Sequence, residues 1–184
     1  HRGGRAARAG ATWVKHQAKW SDIEPIETAI DWSQLDAFID AAEQFELKVL
    51  VSVLEAPGWT RANGGVAGRP DDLGKFEHFM ALMAERYKGR VQAYEIWNEP
   101  NLALFWGGNV DAGEYAELLM SGYRGVKRAD PDALVLFAGL AQNGAGDASL
   151  GINDVEFLRG VYAYRGGIVR HFFDIMGNHS YGYR

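Results

Sequence analysis

The chain has 184 residues, and its 19 Lys and Arg against 24 Asp and Glu give a formal net charge of −5. Hydrophobic residues make up 47% and charged residues 23%, a globular balance that excludes global disorder. The mild acidity argues against nucleic acid or an anionic membrane as a partner, no apolar run is long enough for a transmembrane helix, and zero cysteines exclude disulfides and thiolate sites.

The basic start, His1 to Gly10, has no apolar stretch and is not expected to be an intact signal peptide, so the compartment stays open. Thr12 to Lys19 reads as a short strand, and Trp20 to Asp31 as a loop. Trp32 to Phe45 spaces Leu35, Phe38, Ile39 and Ala42 as a helix does. Leu47 to Leu54 is almost wholly apolar, as in a strand covered on both faces. Glu55 to Pro70 is loop-like. Asp71 to Tyr87 is expected to be a helix, with Asp71 and Asp72 at its start. Val91 to Trp97 is a strand, Asn98 to Asp111 a loop, and Ala112 to Ala129 a helix. Leu134 to Ala138 is a strand and Gly139 to Gly151 a glycine-rich loop. Asn153 to Tyr164 is a helix, and Asp174 to His179 a closing strand.

Five strands separated by helices of this size imply parallel βαβ units in one α/β domain over residues 1–184. Two architectures satisfy the right-handed crossover: an open doubly wound sheet, or part of a (β/α)8 barrel. No strand is followed by a glycine-rich phosphate loop, which weakens the nucleotide-binding version. The five His residues show no metal-ligand spacing, so neither a metal nor another cofactor is expected.

The informative segment is Tyr94-Glu-Ile-Trp-Asn-Glu-Pro-Asn-Leu102, at the end of an expected strand, where both folds place ligands. Pro100 disfavours helical angles at Glu99, so the chain is expected to leave the strand extended there. Alternation puts Glu95, Trp97 and Glu99 on one face. On the first strand, Lys15, Gln17 and Lys19 alternate with Val14, His16 and Ala18. If the polar set faces a barrel interior, Lys15 needs a partner, and Glu95 is expected to be it. Glu55 is read as a loop residue and Asn143 is given no role.

Trp97-Asn98-Glu99-Pro100 resembles the fourth-strand motif of clan A glycoside hydrolases. The wider stretch to Trp106 is most similar to family 39 and its relatives. Flanking pieces match in order: Trp13 to Pro25 resembles the second strand and its loop, Val49 to Trp59 the third, Ala133 to Leu140 the fifth, and Asp174 to Tyr181 the sixth. The resemblance implies an incomplete (β/α)8 TIM barrel, about strands two to six, and a retaining hydrolase of O-glycosidic bonds. Glu99 would be the general acid/base and Asn98 would hold the neighbouring sugar hydroxyl. His179 and Tyr181 would face the site, and Trp20, Trp59 and Trp106 would be stacking platforms for a carbohydrate substrate. Retention needs a second carboxylate about 5–5.5 Å from the acid. It is expected from a seventh strand beyond Arg184. A fragment of a longer enzyme, an inactive sugar-binding relative, and a partial barrel completed by another chain are the competing readings. Open barrel edges are expected to favour self-association.

Overall fold

The computed structural model describes residues 10–65, 68–143 and 150–180. Strand and helix alternate as β1 (Trp13–Lys19), α1 (Ser33–Glu43), β2 (Lys48–Leu54), α2 (Leu73–Arg86), β3 (Ala93–Ile96), α3 (Ala112–Ala129), β4 (Leu134–Phe137), α4 (Asp154–Ala163) and β5 (Ile175–Met176). The strands form one parallel sheet in the order β1-β2-β3-β4-β5. A doubly wound sheet reverses its strand order at a switch point. Sequential order without reversal is that of an arc of a (β/α)8 barrel, which resolves the choice left open by the strand count.

The register separates two faces. Val51, Tyr94 and Val135 are aligned, as are Val53, Ile96 and Phe137. These six residues are fully buried beneath the helices, against Phe76, Phe79, Met80 and Met83 of α2 and Tyr115, Leu118 and Leu119 of α3. The other face carries the row Gln17, Ser52, Glu95, Leu136 and Ile175. Polar residues in that row mark the concave side, where a site can sit.

The helices start where side-chain caps allow. Asp72 accepts a hydrogen bond from Gly74 N, Asp111 from Glu114 N, and Asn153 from Val155 N and Glu156 N. Two glycines let α3 lie close to its neighbours. A Cβ on Gly125 would sit 2.4 Å from the Glu77 carbonyl oxygen, and one on Gly122 would sit 2.7 Å from Ile96 Cδ1. Arg86 of α2 grips Asp36 of α1 through two hydrogen bonds of 3.0 and 2.6 Å. That guanidinium holds the Asp36 carboxyl below the ordinary carboxylate range.

Several boundaries differ from the sequence reading. The Trp20–Asp31 loop opens with a helical turn at Trp20–Ile23, and single turns also form at Gly58–Thr60 and Ala103–Trp106. The closing strand is only Ile175–Met176. Its flanks are tied instead by Asp174, whose carboxylate accepts from Val135 N at 2.8 Å, and by Gly177 N, which donates to Phe137 O at 2.9 Å.

His16 points to the helix side of β1, where its ring stacks on Phe38 with centroids 4.3 Å apart. Burial lowers its pKa below the ordinary 6.5. Below pH 6.5 the unfolded chain therefore takes up a proton that the folded chain resists. Stability present above that pH is lost as pH falls toward the lowered folded value. Urea midpoints measured at pH 7.5 and 5.5 should show this loss, and His16→Phe should reduce it. An unchanged difference in the variant would assign the slope to other groups.

Candidate active site

The site lies where β3 ends. The strand stops at Ile96, and the next residues do not continue its alternation. Trp97 takes φ 78° and Glu99 φ 45°, both in the left-handed region that non-glycine residues rarely adopt. Each such residue costs about 1–3 kcal/mol, which the surroundings must offset. Trp97 N donates to Val53 O at 2.8 Å, Ser52 Oγ donates to Trp97 O at 3.1 Å, and Glu99 N donates to Gly139 O at 3.2 Å. Pro100 does keep Glu99 out of the right-handed helix, but the residue is left-handed rather than extended. Leu102 N closes a turn on Glu99 O at 3.0 Å.

The kink decides which side chains face the concave side. Trp97 turns into the core, with its indole N–H on Phe105 O at 3.0 Å and its ring 5.9 Å from that of Trp106. Asn98 and Glu99 turn the other way, where they meet Gln17 of β1 and His179. The shared face of Glu95, Trp97 and Glu99 expected from parity is thus broken at Trp97.

Glu99 is 7% exposed and Asn98 4%. His179 Nδ1 lies 2.8 Å from Glu99 Oε1. Gln17 Nε2 donates to Asn98 Oδ1 at 3.1 Å, which leaves the Asn98 amide nitrogen to act as a donor. Below them, Lys15 Nζ lies 2.5 Å from Glu95 Oε2 and 3.4 Å from His179 Nε2. The expected Lys15–Glu95 contact is therefore present. Glu95 Oε1 accepts from Gly139 N at 3.1 Å. Lys19 completes the polar row of β1 through Glu55, 3.1 Å away. Burial on this side explains the pairing, because Glu95 is only 2% exposed and a lone buried charge is costly.

The expected aromatic platforms fare differently. Trp20 is 0% exposed and packs against Phe76, Phe79 and Trp59. Trp106 is 3% exposed, wedged between Trp97 and Tyr115. Neither offers a ring face to a sugar, because both fill core space that loop position alone did not reveal. Trp59 is half-buried, donates from its indole N–H to Glu24 O at 2.8 Å, and has the Lys75 ammonium 4.9 Å from its ring centroid. It lines a hollow with Glu24, Lys75 and His78 that does not include Asn98, Glu99 or His179. Tyr181 lies outside the described residues. No group of three or more His, Cys, Asp or Glu among the described residues is arranged to hold a metal ion.

Asn101 was not singled out in the sequence. It is fully buried, donates to Ala141 O at 2.8 Å and Ile152 O at 3.1 Å, and accepts from Ala141 N at 3.0 Å. It pins the loop after β3 to both ends of the loop after β4. A polar residue following a strand-end proline was the available signal. Asn101→Ala should cost about 2–4 kcal/mol, since it strands buried backbone groups. Chemical denaturation would check this, and a loss within about 0.5 kcal/mol would mean that water replaces the amide.

Comparison with known proteins agrees with this fold. No family model matches the sequence. The chain is 29% identical over 154 residues to endo-1,4-beta-xylanase A of Xylanibacter ruminicola, which covers 80% of this chain and 38% of that protein. A family 39 glycoside hydrolase from Bacteroides cellulosilyticus superposes with a TM-score of 0.69 at 24% identity, over 97% of this chain and 34% of that one. An endoglucanase from Thermotoga maritima gives 0.59 at 20% identity, over 84% and 48%. The sheet is therefore part of a (β/α)8 barrel that resembles those of glycoside hydrolases. The chain spans 38% of the xylanase and between about a third and a half of the solved structures.

Proposed function

We propose that the whole protein hydrolyses O-glycosidic bonds with retention of configuration, and that Glu99 is its general acid and base. The carrying observation is the placement of Glu99: a buried carboxyl at the C-terminal end of a barrel strand, turned into the concave side by a strained backbone and oriented by His179 at 2.8 Å. Strain concentrated on the residues beside a carboxyl is the pattern expected where geometry serves chemistry.

The reaction follows from that geometry. Protonated Glu99 gives its proton to the glycosidic oxygen as the bond to the anomeric carbon breaks. A second carboxylate, contributed by residues outside this sequence, attacks the opposite face and forms a glycosyl ester. Glu99, now ionised, takes a proton from water, which attacks the same carbon and releases the ester. Asn98 donates from its amide nitrogen to the hydroxyl next to the reacting carbon. Gln17 fixes the orientation of that amide. The family resemblance assigns Tyr181 to sugar contact as well, and Trp59, which lines a hollow that does not include Glu99, is the platform with ring surface still available. The partner is a carbohydrate. The xylanase relative makes β-1,4-linked xylan the first substrate to try.

The test is the anomeric configuration of the first product, read by proton NMR in the whole protein with aryl glycosides and xylo-oligosaccharides. Retention is expected. Inversion would overturn the two-step reaction. Sugar binding with no cleavage of any glycoside would favour a carbohydrate-binding relative.

A further inference from the structure

Four polar side chains from two strands and two strand-end loops form a connected series: Glu95, Lys15, His179 and Glu99. The Gly139 peptide closes it, donating from N to Glu95 Oε1 and accepting at O from Glu99 N. We propose that Lys15, braced by Glu95, is a positioning residue that fixes His179 as its Nδ1–H tautomer and so aims the carboxyl of Glu99.

The argument starts from donor inventory. An ammonium has three N–H donors and no lone pair. Lys15 Nζ faces His179 Nε2 at 3.4 Å. A proton on Nε2 would set donor against donor, so Nε2 presents its lone pair and the ring proton sits on Nδ1. That proton points at Glu99 Oε1, 2.8 Å away. Since Oε1 accepts from the ring, the proton that Glu99 transfers rides on Oε2. One ion pair at the base of the site thereby selects which oxygen does the chemistry.

Glu95 explains why the cation does not disable the acid. A lysine bonded directly to Glu99 would favour its ionised form. Glu95 instead holds Lys15 at 2.5 Å, and the imidazole stands between the ammonium and Glu99. A neutral ring passes on direction without delivering a full charge. Among the described residues, the charged groups that meet His179 are Lys15 and Glu99, and Glu95 meets Lys15.

This inference rests on Glu99 being the acid, but its test reads the tautomer first. The whole protein labelled with nitrogen-15 histidine is examined by imidazole NMR, with His179 assigned through His179→Asn. Wild type should show a protonated Nδ1 and a lone-pair Nε2. Lys15→Met should shift the ring toward Nε2–H and lower kcat up to about 100-fold with KM little changed. Lys15→Arg, which also only donates, should keep the tautomer. If Lys15→Met does not fold because Glu95 is left unpaired, Lys15→Met with Glu95→Gln serves in its place. An Nε2–H ring in wild type, or an unmoved ring in the variant, overturns the proposal even if Glu99 proves catalytic. Conversely, an Nδ1–H ring in a protein that Glu99→Gln leaves fully active would retain the tautomer lock and refute the acid.

Discussion

Glu99→Gln is expected to lower kcat of the whole protein about 100- to 10,000-fold on substrates with a poor leaving group, the range typical of a lost general acid. The amide keeps the size of the side chain and can still meet His179, so folding should be preserved. The loss should depend on the leaving group. A nitrophenolate departs without protonation, so aryl glycosides should suffer much less in the first step than xylo-oligosaccharides. With Glu99→Ala, the cleared space should admit azide, a nucleophile that needs no general base. Added azide should then speed turnover of an activated glycoside and yield a glycosyl azide of retained configuration. Equal activity of Glu99→Gln and wild type on an oligosaccharide would remove Glu99 from the reaction.

Much of the barrel arc was legible because its signals are local and periodic. The apolar run at Leu47 to Leu54 and the amphipathic stripes of α2 and α3 depend only on side-chain spacing and on burial against a sheet. The Lys15–Glu95 pair was also accessible, since parallel strands share a register and a lysine facing the barrel interior needs an anion. What escaped was set by the chain leaving that periodicity. Alternation places Trp97 beside Glu95 and Glu99, whereas two left-handed residues turn Trp97 into the core and deliver Asn98 to Gln17. The sequence holds no glycine there to announce positive φ. Trp20 and Trp106 misled for a related reason. Each lies in a connection by sequence, yet each sits on a single helical turn that folds inward over the strand ends. Asn101 reads as a loop amide until the loop after β4 closes over it.

Gly139→Ala tests the geometry without removing any functional group. A Cβ at this position would lie 2.3 Å from His179 Cδ2 and 2.6 Å from Nε2, closer than real Cβ contacts. Something must move. The Gly139 backbone is held at both ends, by Glu95 through its N–H and by Glu99 through its carbonyl. The imidazole is therefore the part expected to yield, and a shift of that size breaks its contacts with Glu99 and Lys15. A displacement near 1 Å at an oriented acid costs about 100-fold in rate, so kcat should fall by that order while KM changes little. Overpacking should also cost about 1–3 kcal/mol of stability. The decisive measurement is a double-mutant cycle with His179→Ala. If the methyl acts by displacing the ring, Gly139→Ala should add little to the kcat loss once the ring is absent. Full additivity would mean that the methyl disturbs Glu95 or Glu99 directly, and that the rigid part of this site is the histidine rather than the backbone beside it.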